Sequence, residues 1–365
     1  MFRRRPHLTR TAIGLLLAVG SWLALVALAV WTLELPTTRA WLASQLSERV
    51  GAAIGQPVRV ADLRLSLVPP RLALKGLEVG LATAPMLKVA FAEATVGDLR
   101  LADREIGVDS LRLVGVRVDV ESPPPPRQTS GGGWLSVLVR QLELEDVQIA
   151  KLASPGGLVL SARDVQARWN GTRRSPISSA VAHVGSFTLT VPDLEPISGS
   201  LMARGRKTEK GWELGRLRIR GKDWSLEASG MQGGAAGRAE GTVELELAAL
   251  DRTLRIGTGL EGKVAARWQA TVQGKDFRVD ASVSSPKVKL AGLEFGDLSG
   301  EAHLSPEGLE ATVFQLTFAG GKFEGSYTLG NFGPSWPHRI AARGQGASIA
   351  AFLRELGADD AGLSG

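Results

Sequence analysis

The sequence predicts a mainly β protein: a long, curved antiparallel sheet of bulged strands forming a groove, with one N-terminal transmembrane helix, one short amphipathic helix and a short C-terminal helix. Three observations predict it. Apolar and polar residues alternate from residue 57 almost to residue 345, the period of half-buried strands with one wet face. Glycine contributes 44 of 365 residues, well above its usual ~7% share, so turns are frequent. Thr11 to Leu33 form a run of 23 residues without a charge, long enough to cross a ~30 Å hydrocarbon core as a helix.

The formal charge of +6 is concentrated at the start. Arg3, Arg4, Arg5 and Arg10 precede the apolar run, leaving 39 basic against 37 acidic residues in the rest. A nucleic-acid binder carries its basic excess on the folded body, and this body is near neutral. Zero cysteines exclude disulfides, thiolate metal sites and a cysteine nucleophile. His7, His183, His303 and His338 are solitary, which argues against a histidine metal site.

Taken in order, residues 1–10 are a basic stub and residues 11–33 a transmembrane anchor. Positive charge stays on the cytoplasmic side, so the body is expected on the far side. The alternative for the same run is a cleavable signal peptide, with Ala27-Leu28-Ala29 as its small-residue site; both readings export the body. Pro36 with Thr37 and Thr38 opens a helix. Leu42, Leu46, Val50, Ala53 and Ile54 recur along it at three- and four-residue spacing, and Gly55 is its stop.

Strands follow. Val58 and Val60, then Leu63, Leu65 and Leu67, then Leu72 and Leu74 sit at alternate positions. The same alternation is clear at Leu217 and Ile219, at Val243, Leu245 and Leu247, and from Val264 through Ala266, Trp268 and Ala270 to Val272. One local pattern recurs at Leu72–Val79, Leu111–Val118, Leu142–Ile149 and Val288–Phe295. In each copy three residues, not two, separate the inner apolar pair, and the slip falls at Gly76, Gly115, Asp146 or Gly292. A slip needs a residue that tolerates positive φ, as a bulge does, and bulges curve a sheet. The copies have no fixed period, so a propeller or strict solenoid is excluded.

Residues 122–133 (SPPPPRQTSGGG) are a Pro/Gly linker loop between a helix-plus-sheet portion at 38–121 and a sheet continuation at 134–357. Ser348 caps a terminal helix bearing Ile349, Phe352, Leu353 and Leu356 before Gly357, and 358–365 form a tail. That tail ends Leu-Ser-Gly like the segment Leu298-Ser299-Gly300, so the sequence reads as a chain that a longer version would continue.

Motifs for chemistry are sparse. Gly257-Thr258-Gly259-Leu260-Glu261-Gly262-Lys263-Val264 matches both G-x-G-x-x-G and G-x-x-x-x-G-K. Both patterns need a helix to follow, so that its amides face phosphate. Here a strand follows and Val264 replaces the Walker Ser or Thr, so a hairpin turn is expected. Glu143, Glu145 and Asp146 read as a solvated strand edge rather than an acid/base pair. There is no G-x-S-x-G and no H-E-x-x-H, and Asn170-Gly171-Thr172 is a bare glycosylation sequon. Trp268 among alanines either lines a cavity or fills core. No enzyme, cofactor or metal is expected.

The arginine-rich start with one anchor, the stretch RAWLASQLSERVGAAIG running into QPVRVADLRLSLVPPRLALKGLEVG, and the later LRLVGVRVDVE, LELEDVQI, FAGGKFEGSYTLG and GASIAAFLRELG resemble the AsmA family of Gram-negative envelope proteins, which includes TamB-like members. The likeness covers about residues 11 to 357. It implies a periplasmic body held by a single pass in the inner membrane, whose β-groove carries phospholipid or another acyl-chain lipid and contributes to outer-membrane lipid supply or assembly. Envelope proteins are the further partners it implies. A structural or assembly factor that carries no lipid is the alternative. On the groove reading the lining candidates are Leu72, Leu74, Leu111, Leu113, Leu142, Leu144, Leu217, Ile219, Val264, Ala266, Trp268, Ala270 and Val272. The chain departs from the family in being short and in lacking an obvious module for outer-membrane contact.

Overall fold

In the computed structural model the described residues are 35–67, 69–100, 105–120, 136–154, 157–172, 175–192, 194–233, 236–253, 257–274, 276–330 and 338–355. The expected anchor at 11–33, the linker at 122–133 and the tail at 358–365 lie outside them. Among the described residues no helix is long and apolar enough to cross a membrane. The chain divides into two compact units, one of residues 1–120 and 125–147, the other of 121–124 and 148–365.

The first unit opens with helix α1 (Pro36–Ile54), followed by β1 (Val58–Leu67), β2 (Pro70–Gly80), β3 (Pro85–Arg100), β4 (Glu105–Val120) and the first part of β5 (Ser136–Ala153). Proline stands at the first helical position, where its missing N–H costs nothing, and Gly55 ends the helix at φ 67°. Leu35, not Thr37 or Thr38, is the N-cap, and no side chain caps the helix. The helix meets β1 through its middle. Ala43 is therefore its buried residue, while Val50 and Ile54 are exposed.

Strands β1 to β4 pair antiparallel in chain order. Gly76 and Gly115 stand inside β2 and β4 at φ 61° and 64°. The two kinks are aligned: a Cβ on Gly76 would meet Ala61 of β1 at 2.9 Å, and one on Gly115 would meet Ala90 of β3 at 2.8 Å. All four strands thus slip phase along one line, and the ladder stays in register on both sides. In β3 the consequence is visible as Val89 and Ala92, three residues apart, at 3% and 6% exposure. On a regular strand they would point to opposite faces. Asp146 repeats the device in β5 at φ 50°.

The second unit holds the rest of β5 and then β6 (Val159–Thr172), β7 (Ser175–Thr190), β8 (Ile197–Thr208), β9 (Gly211–Arg220), β10 (Trp224–Gly233), β11 (Ala236–Glu246), the short helix α2 (Leu247–Thr253), β12 (Glu261–Gln273), β13 (Asp276–Leu290), β14 (Leu293–Ser305), β15 (Gly308–Phe318), β16 (Gly321–Gly330), β17 (His338–Gln345) and helix α3 (Ile349–Glu355). From β6 onward each strand pairs antiparallel with the next. Register shifts interrupt β6–β7, β7–β8, β8–β9, β9–β10, β12–β13, β14–β15 and β15–β16, and each adds local twist and bend. Ser285, at 3% exposure, stitches the β12–β13 shift: its hydroxyl lies 2.6 Å from the Lys263 carbonyl and 3.0 Å from that of Lys287.

Two expectations need correction. The fourth copy of the slip pattern, Val288–Phe295, is not a bulge. Ala291 and Gly292, at φ 51° and 84°, form a two-residue turn between the paired Leu290 and Leu293, the geometry a tight hairpin demands. In-strand kinks fall instead at Asp164 (φ 53°) and Asp297 (φ 46°). The second correction is Leu247, read as the end of an alternating strand; it begins α2, where it is buried against the sheet. Helix α3 is capped as the sequence suggests, Ser348 accepting a bond from the Ala351 amide.

Candidate functional site

The register of the second unit assembles one continuous apolar face. A first row runs through Val165, Val184, Leu201, Ile219, Leu226, Val243, Ala266, Val283, Gly300 and Phe314. Two residues along each strand, or three at the β15 bulge, a second row runs through Ala167, Ala182, Ala203, Leu217, Ala228, Gly241, Trp268, Ala281, Ala302, Ala311 and Tyr327. The third, from Trp169 through Leu214 and Ala270 to Leu304, Leu309 and Leu329, is apolar or glycine throughout. No charged residue enters any of the three.

Size is graded across them. The middle row is alanine or glycine on eight of its eleven strands, against two of ten in the first row and five of eleven in the third, so small residues are concentrated along it; on β12 the order is reversed, with Trp268 between Ala266 and Ala270. Eleven strands at ~4.8 Å make this face about 50 Å wide, and three rows at ~6.8 Å cover about 14 Å along the strands. Apart from α2 against β11 and β12, each of these strands makes its extensive contacts with its sheet neighbours. Among the described residues no large side chain falls below 2% exposure. A second layer packed over the rows would bury their side chains more deeply than this.

The opposite face is charged. Arg218 pairs with Glu227 at 2.5 Å and Arg216 with the same carboxylate at 3.4 Å. Partial burial works against the Glu227 charge, but the bonds from Arg218 and Arg216 outweigh it and hold that carboxyl below its ordinary value. His303 lies 2.5 Å from Asp280, which also accepts from Arg278 at 2.9 Å. These two contacts lower the Asp280 pKa, His303 contributing most. A concavity of about 700 Å³ opens on this face, between Glu227, Glu240, Arg267, Asp280, Glu301 and His303. A smaller one of about 350 Å³ opens on the apolar face beside Trp212, Leu214, Ala239 and Val272. No cluster of metal-ligating side chains occurs among the described residues.

The glycine-rich segment before β12 has a different use from phosphate binding. Gly257 and Gly259 have φ 69° and 65°, and the Thr258 amide and hydroxyl bond to Asp251 Oδ1 at 3.1 and 3.0 Å. The Gly259 and Leu260 amides point at the same carboxylate. Partial burial raises the Asp251 pKa, but these donors prevail and the net displacement is downward. The anion in this nest of amides is the chain's own side chain. Strand β12 follows, as expected, but the loop is not the expected hairpin turn, because helix α2 and not a strand precedes it.

The sequence-derived lining candidates fall as follows. Leu217, Ile219, Ala266, Trp268 and Ala270 lie in the three rows, with Val264 and Val272 just beyond them on the same face of β12. In the first unit Leu74 is level with Ala92 and Leu113, and Leu72 with Ala94 and Leu111. Arg112 donates to Glu145 from Nε at 3.2 Å and from Nη2 at 2.6 Å, so those two share the charged face. By alternation Leu113 and Leu144, with Leu142, share the other. These candidates fall into two groups, one in each unit. Sequence reading missed the alanine-rich row, since alanine is neither a strong strand former nor conspicuously apolar.

No family model, no curated protein and no solved structure matches the chain.

Proposed function

We propose that the chain is a lipid-binding or lipid-transfer protein of the AsmA type. On this reading it is held in the inner membrane by residues 11–33, with its body in the periplasm, and it contributes to outer-membrane lipid supply or envelope assembly. One observation carries the reading: three charge-free rows, the middle one mostly alanine and glycine, cross the strands of the second unit with no covering layer among the described residues. Two ~16-carbon tails hold about 30 methylenes, so leaving them in water costs on the order of 25 kcal/mol. An apolar sheet face removes most of that cost without any titratable group. The ~14 Å spanned by the rows is close to half a ~30 Å bilayer core, the reach of one acyl chain. Head groups remain in water, and no catalytic residue is assigned.

The alternative, an assembly factor whose apolar face packs on a partner chain, is favoured by the opening of a concavity of about 700 Å³ on the charged face. Native mass spectrometry of the full chain, purified without added lipid and then exposed to phospholipid vesicles, separates the two. Bound phospholipid is expected. A chain that emerges bare and takes up nothing from vesicles overturns lipid binding.

A further inference from the structure

On the charged face of the second unit, β8 and β9 carry five arginines at adjoining positions: Arg204, Arg206, Arg216, Arg218 and Arg220. Two carboxylates answer them. Glu213 takes Arg206, and Glu227 is shared by Arg216 and Arg218. Arg204 and Arg220 have no carboxylate partner among the described residues. Arg204 is moreover directly opposite Arg216, and like charges placed so destabilise a sheet. The excess is local, since the body of the chain is near neutral.

Amid these cations stand two exposed apolar side chains, Val181 of β7 at 47% and Met202 of β8 at 46% exposure. Val181 is level with Arg204, and Met202 is level with Arg218. An apolar centre inside a charged rim, rich in arginine and methionine, is the composition of a protein-docking patch. Length decides against a bilayer as the occupant. Valine and methionine are shorter than arginine, so guanidinium groups would meet head groups before either apolar side chain reached hydrocarbon. A polypeptide can lower a side chain between the arginines while its carboxylates meet them in bidentate fashion.

We propose that the charged face of β7–β9 is a docking surface for an acidic polypeptide segment that carries apolar side chains between its carboxylates. This goes beyond the lipid reading and does not depend on what the apolar face carries. The test uses the full chain in mild detergent and the fluorescence anisotropy of a short labelled peptide of alternating glutamate and leucine. Arg204→Glu with Arg220→Glu should weaken binding about tenfold or more, the milder double change to glutamine should weaken it less, and Met202→Ser should weaken it too. Circular dichroism should show unchanged strand content in all three. Equal binding by native and charge-reversed chains overturns the proposal. So does equal binding of a glutamate–serine peptide, which would remove the role of the apolar centre. Capture by phosphatidylglycerol vesicles that depends on the same arginines, without peptide binding, overturns it in favour of a membrane surface.

Discussion

Trp268 of β12 lies against Gly241 of β11, its direct cross-strand partner: a Cβ on Gly241 would stand 2.8 Å from Trp268 Cζ2 and 2.1 Å from the Glu227 carbonyl oxygen. Neither contact has room for a methyl, because β10 closes the other side. Gly241→Ala is therefore expected to destabilise the second unit by about 1–3 kcal/mol, the usual cost of forcing an extra carbon into a packed site. Urea unfolding followed by tryptophan fluorescence measures it. An unchanged midpoint would mean that the tryptophan swings aside freely.

The alanine-rich row makes a sharper demand. Ala281→Trp should fill the middle row and lower phospholipid uptake several-fold, while Ser282→Trp, one residue on and on the charged face, should leave it unchanged. Quantifying co-purified lipid for both variants decides the matter. Equal losses would show that the face assignment has no bearing on uptake.

In the first unit, Leu113→Asp or Leu144→Asp should impair function and Arg112→Ala should be nearly silent. The Arg112–Glu145 pair is half exposed, and pairs of that kind contribute ~0–1 kcal/mol. Complementation of a strain lacking the protein provides the readout. Equal tolerance at all three positions would contradict the placement of the leucines on a functional face.

Asp251 gives a pH signature. Donors from Thr258, Gly259 and Leu260 hold its pKa down in the folded state. Its contribution is therefore present above the ordinary aspartate value of ~3.9 and is lost as pH falls through the lower folded value. The native chain should melt a few degrees above Asp251→Ala at neutral pH, and that gap should shrink below about pH 4. A gap that persists unchanged to pH 3 would assign the nest to something other than the carboxylate charge.

Much of the fold was legible in the residue order because it follows from local rules. Alternation places Val264, Ala266, Trp268, Ala270 and Val272 on one side of a strand whatever its neighbours are. Gly76, Gly115 and Asp146 could be named as kinks because few other residues tolerate positive φ. Gly292 misled for the same reason: a left-handed residue serves a hairpin turn as well as a bulge, and only pairing distinguishes them. Asp164 and Asp297 went unnoticed because no leucine pair flanks them. The tertiary structure alone decided what depends on register. It aligned small residues of eight strands into one row, turned the glycine loop around Asp251, and brought the arginines of two adjacent strands together beside Met202. The row and the arginine cluster are relations between residues on different strands, set by hydrogen-bond registry rather than by the preference of any single residue, while the Asp251 loop closes locally, over seven residues.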